Sequence, residues 1–84
     1  MTSLLNEWRK EGERLRCRFA FKDFKAALDF VNRVGDLAEE ANHHPDIHIF
    51  YNEVELELWT HTAGGVTEKD WELAASISAF FKKF

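Results

Sequence analysis

A change of hydrophobic period constrains this chain more than any other feature. Apolar residues recur every second position, then about every 3.6, and the sequence passes through that cycle twice. Leu15, Cys17, Phe19 and Phe21 alternate with Arg16, Arg18 and Ala20, the pattern of a strand with one covered face. From residue 23 the alternation stops, and residues up to about 41 fit a helix with no internal proline. After Pro45 period two returns with Ile47 and Ile49. Beyond a turn around Tyr51, Asn52 and Glu53, the side chains of Val54, Leu56, Leu58 and Thr60 point together, and Glu55, Glu57, Trp59 and His61 point the other way. Residues 8 to 10 are placed to pair with the first long strand across a turn at Glu11 and Gly12.

Ala63, Gly64 and Gly65 break the last strand. Thr67, with Asp70 three residues on, resembles a capping box in which Asp replaces the longer Glu or Gln, and it opens a final helix to about residue 82. Hairpin, helix, hairpin and helix in that order predict an α+β fold, a four-stranded antiparallel sheet with helices packed on one face.

A chain of 84 residues holds one domain, residues 1–84. At that size folding buries only about 60% of the surface that the unfolded chain exposes. Cys17 is the single cysteine of the sequence, so no internal disulfide adds stability, and one thiol fits a reducing compartment. The long helix carries more apolar surface than one sheet needs. Phe24, Ala26, Ala27, Leu28, Phe30, Val31, Val34, Leu37, Ala38 and Ala41 span about 200° of its circumference. Either the helix is sunk between the sheet and another helix of the same chain, or part of the arc is a subunit interface. So few elements are available to cover it that the second reading is preferred, and it predicts a homodimer or homotetramer.

The formal net charge is −4 and the basic residues are interspersed with acids, which argues against direct binding of DNA or RNA. No apolar run approaches the roughly 20 residues that span a bilayer. The first eight residues lack the apolar core of a signal peptide, so the expected location is the cytoplasm.

Candidate chemistry gathers at Glu39, at Asn42-His43-His44-Pro45, at His61 and at Asp70. Imidazole titrates near neutrality, so two histidines can supply one base and one acid at the same pH. Other readings stand beside this one. His43 and His44 follow a helix end, where a histidine serves equally as a C-terminal cap. Three histidines and a carboxylate also make a metal-ligand set, although adjacent residues rarely aim both rings at one ion and the helical His-x-x-x-His spacing is absent. Asp70 is accounted for as a cap residue, and His48 reads as a surface strand residue.

The stretch from residue 39 to residue 70 contains Glu-Glu-Ala-Asn-His-His-Pro, then Tyr-Asn-Glu-Val, then Thr-His-Thr-Ala-Gly-Gly-Val-Thr-Glu-Lys-Asp. It resembles the signature of the pterin-4a-carbinolamine dehydratases, and the similarity extends from about residue 8 to the C-terminus. The resemblance implies dehydration of 4a-hydroxytetrahydropterin to quinonoid dihydropterin, a step in tetrahydropterin regeneration, with no metal or organic cofactor. It implies a homo-oligomer that takes a small pterin, with His43, His44 and His61 as catalytic residues and Glu39 and Asp70 in support. His61 is then the acid on the leaving hydroxyl, His43 the base tuned by Glu39, and His44 orients the pterin; the acid and base roles of His61 and His43 can also be exchanged. Some family members act as dimerisation cofactors of a homeodomain transcription factor, so a binding or assembly protein with little catalytic role is the alternative. Two departures stand out. The helix that usually precedes the first strand is nearly absent, and Asn42 occupies a position where some members carry an acid.

Overall fold

The computed structural model describes residues 7–84. The short segment ahead of them, where the family's leading helix would lie, falls outside the described residues. Strand β1 (Arg9–Glu11) and β2 (Arg14–Ala20) form the first hairpin. Helix α1 (Phe24–Ala41) follows, then β3 (Asp46–Phe50), β4 (Glu53–Leu58), a single 3-10 turn (His61–Ala63) and helix α2 (Glu68–Lys83). The four antiparallel strands lie in the order β1-β2-β4-β3, so the expected α+β architecture is the one found.

Element boundaries differ from the expectation by a residue where turn chemistry decides. Gly12 adopts φ +62 and takes the first turn position, which lets β1 extend through Glu11. Tyr51 adopts φ 55, so the second turn is confined to Tyr51 and Asn52 and β4 begins at Glu53. Asp23 caps α1 by accepting a 2.9 Å hydrogen bond from the Ala26 N–H.

The period-two pattern becomes two chemically distinct sheet faces. Leu15 pairs with Leu58, Cys17 with Leu56 and Phe19 with Val54, and all six are buried beneath the helices. Phe19 lies 4.9 Å from both Phe30 of α1 and Phe81 of α2, measured between ring centres, which joins sheet and helices in one aromatic core. The opposite face carries Arg16 against Glu57 and Arg18 against Glu55. There Arg14 and Arg16 both meet Glu57, at 2.7 and 3.3 Å, and Arg18 reaches Glu53 and Glu55 at 3.0 and 3.1 Å.

Helix α1 divides its apolar arc. Ala27, Phe30, Val34 and Ala38, at its centre, are buried against the rest of the chain. Phe24 and Leu28, on one flank, remain 46% and 36% exposed. No helix among the described residues is long and apolar enough to cross a membrane.

Candidate active site

The site begins where α1 stops. Asn42 takes a left-handed conformation, φ 53 and ψ 42, which asparagine tolerates better than most residues. Its N–H bonds to the Glu39 carbonyl at 3.2 Å, and the His43 N–H bonds to the Ala38 carbonyl at 3.1 Å. These paired bonds are a Schellman motif, and they turn the chain sharply off the helix axis. Pro45 then holds the preceding residue, His44, away from helical conformation.

This turn decides which carboxylate each histidine meets. A side chain at residue 43 would lie over Glu39 only if the helix continued, because positions i and i+4 share a helical face. The helix ends, so the direct pairing of His43 with Glu39 expected from sequence is not the one found. Glu39 instead meets His44, Oε2 to Nε2 at 2.7 Å, as a surface pair with both side chains more than half exposed. His43 swings toward α2, and its Nε2 lies 2.5 Å from Oδ1 of Asp70.

Asp70 has no solvent exposure. It is the acidic arm of the α2 capping box, accepting from the Thr67 N–H at 2.8 Å. The same oxygen accepts from the Thr60 hydroxyl at 2.8 Å. The capping role expected of Asp70 and its contact with His43 are divided between its two oxygens. Burial by itself raises the carboxyl pKa, but the hydrogen bonds from His43, Thr67 and Thr60 outweigh it and hold Asp70 below its ordinary value.

An ionised carboxylate only accepts, so the contact with His43 requires a proton on Nε2. Neutral His43 is therefore the Nε2–H tautomer, with its lone pair on Nδ1. The Thr60 hydroxyl gives its proton to Asp70, so the 2.7 Å contact between the Thr60 and Thr67 hydroxyls has Thr67 as donor. This run of donors, Thr67 to Thr60 to Asp70, is anchored by the bridge between Thr60 and Gly65 that closes the 3-10 turn.

His61 opens that turn and is not the last residue of the strand, since β4 ends at Leu58. Its side chain nevertheless stays with Trp59, the two ring centres 4.1 Å apart. His43, His44, His61, Trp59 and Lys69 line an open cleft of about 290 Å³. His43 and Lys69 also border a second cleft between the helices, of about 430 Å³. Among the described residues, no group of three or more His, Cys, Asp or Glu side chains is placed to hold a metal ion.

Sequence reasoning did not single out Thr60, whose alternation marks only an inward strand position, nor Lys69. Trp59 carries a usable signal: the sequence alternation sets it on the same outward side as His61, two residues on.

The family model described as Pterin 4 alpha carbinolamine dehydratase matches residues 1–80. A Thermomicrobium roseum protein that carries this family's name is 52% identical over 81 residues, covering 93% of this chain and 87% of its own length. A relative of the same name from Acidobacterium capsulatum is 52% identical over 77 residues, covering 92% and 84%. Among solved structures, a transcriptional coactivator/pterin dehydratase from Brucella melitensis superposes with TM-score 0.82 at 38% identity, over 89% of this chain and 82% of that one. A pterin dehydratase-like protein identified as a RuBisCO assembly factor in the alpha-carboxysome superposes with TM-score 0.73 at 29% identity, over 86% of each chain. The sequence match along nearly the whole chain and the shared fold establish that this protein belongs to the pterin-4-alpha-carbinolamine dehydratase family.

Proposed function

We propose that this chain, acting as one domain, dehydrates 4a-hydroxytetrahydropterin to quinonoid dihydropterin in the regeneration of a tetrahydropterin such as tetrahydrobiopterin. It works in the cytoplasm as a homodimer or homotetramer, without metal or organic cofactor. The reaction breaks the C4a–O bond and removes the proton on N5, forming a C4a=N5 double bond and releasing water. Hydroxide leaves poorly unless protonated, so one group must donate a proton to the hydroxyl while another accepts the N5 proton.

The observation that carries this reading is the bond from His43 Nε2–H to buried Asp70, which leaves Nδ1 of neutral His43 as a base. His61, which lines the same cleft, is assigned as the acid and His44 orients the pterin. Asp70 supports His43, and Glu39 supports His44.

The test mixes purified protein with chemically generated 4a-hydroxytetrahydropterin and follows dehydration against the uncatalysed rate. His43→Ala and His61→Ala should each lower the background-corrected rate about 10²–10⁴-fold, the usual share of one positioned proton-transfer group. His48→Ala, an exposed β3 residue stacked beside Phe50, is the control and should leave the rate unchanged. A second reading, a binding or assembly protein on the same fold, is favoured by the likeness to the RuBisCO assembly factor. It predicts no acceleration over background.

A further inference from the structure

His61 is exposed and stands at the start of a three-residue turn. Among the described residues, no hydrogen bond or ion pair holds its imidazole. Its ring lies against the indole of Trp59, at 4.1 Å between centres and an interplanar angle of 33°.

That indole is braced from within the sheet. The Arg14 guanidinium lies 4.9 Å from its centre, close enough for cation–π attraction. Arg14 in turn donates through Nη1 to Oε1 of Glu57 at 2.7 Å, and the Glu57 side chain is only 8% exposed. The indole Nε1–H is itself buried and, among the described residues, has no hydrogen-bond partner. An unpaired buried donor opposes burial of the ring in that place, so ring and cation contacts, not a hydrogen bond, fix where the indole lies.

We infer that Trp59, braced by Arg14 and Glu57, is a positioning residue that sets where the His61 imidazole stands in the cleft. An unrestrained histidine on an exposed turn samples several staggered rotamers. A proton donor works only within about 2.6–3.2 Å of the oxygen it serves, and a misplacement of about 1 Å costs up to about 10²-fold in rate. The flat indole removes rotamers that turn the imidazole away. The kinetic consequence rests on the dehydratase reading above; the ring contact does not.

Two measurements on the full chain test the inference. In proton NMR, the His61 ring resonances, identified by their loss in His61→Gln, should be displaced by the indole ring current and should return toward free-imidazole positions in Trp59→Leu. In the dehydration assay, Trp59→Leu should lower kcat by about 10–10²-fold while KM changes by less than about 3-fold, and Trp59→Phe, which restores a flat ring, should recover most of the loss. Undisplaced His61 resonances in the wild type would overturn the inference, as would Trp59→Leu turnover equal to that of an active wild type. A wild type without dehydratase activity would sink the functional reading instead and leave the resonances to decide the positioning. Should Trp59→Leu fail to fold, the wild-type shifts and Trp59→Phe decide.

Discussion

Oδ1 of Asp70 meets Nε2 of His43 at 2.5 Å, while the other oxygen of the same buried carboxylate accepts from Thr60 and from the Thr67 backbone. One carboxylate thus fixes both a helix start and the tautomer of a histidine 27 residues earlier.

Asp70→Asn should invert that tautomer. An amide has one oxygen, and the Thr60 and Thr67 side, with two donors, claims it. The amide nitrogen then faces His43, which must present a lone pair at Nε2 and carry its proton on Nδ1. Nitrogen chemical shifts of the imidazole should report the exchange, and the dehydration rate should fall about 10²–10⁴-fold as the base is lost. Retention of the Nε2–H tautomer with full activity would refute the assignment.

The same carboxylate gives a pH signature. Its pKa in the folded protein lies below the ordinary 3.8 because the hydrogen bonds from His43, Thr67 and Thr60 outweigh the effect of burial. A depressed acid contributes stability that is present in full above its unfolded pKa and is lost as pH falls through the folded one. The gap in unfolding free energy between the wild type and Asp70→Asn should therefore shrink as the pH is taken below 3.8. Denaturant titrations at successive pH values check this; a gap that widens on acidification would count against it.

Glu39 supplies a contrast. Its bond to His44 is as short as many buried ones, 2.7 Å, but the two side chains are 78% and 56% exposed, and exposed pairs contribute about 0–1 kcal/mol. Glu39→Gln should shift stability by less than about 1 kcal/mol and leave the His43 tautomer as it is. A large fall in rate accompanied by a changed His43 tautomer would restore the pairing expected from sequence.

These outcomes mark what the sequence can carry. Strand alternation from Leu15 to Phe19 and from Val54 to Leu58 was sufficient to identify the sheet and its buried face, because every second side chain must share a face. Residue type and spacing single out the histidines as candidates. Their partners are not marked in this way, because pairing depends on a single backbone conformation. Asn42 in the left-handed region ends α1 and breaks the i to i+4 relation between Glu39 and His43. Thr60 was equally hidden: a hydroxyl on an inward strand position shows no sign of the carboxylate that α2 brings to it.

The flank of α1 makes the last prediction. Phe24 and Leu28 stand one helical turn apart, 46% and 36% exposed, while the centre of the same apolar arc is buried by the chain itself. Light scattering at micromolar concentration should give two or four times the monomer mass. Phe24→Ser with Leu28→Ser should shift the population toward monomer, because fully burying each apolar side chain contributes about 1.5–3 kcal/mol. The fold should survive, since neither residue belongs to the buried core, and circular dichroism of the double variant checks that directly. An oligomer unaffected by the double change would place the interface elsewhere, with the edge strand β3 as the next surface to alter. A strict monomer in the wild type would remove the interface reading of the arc altogether.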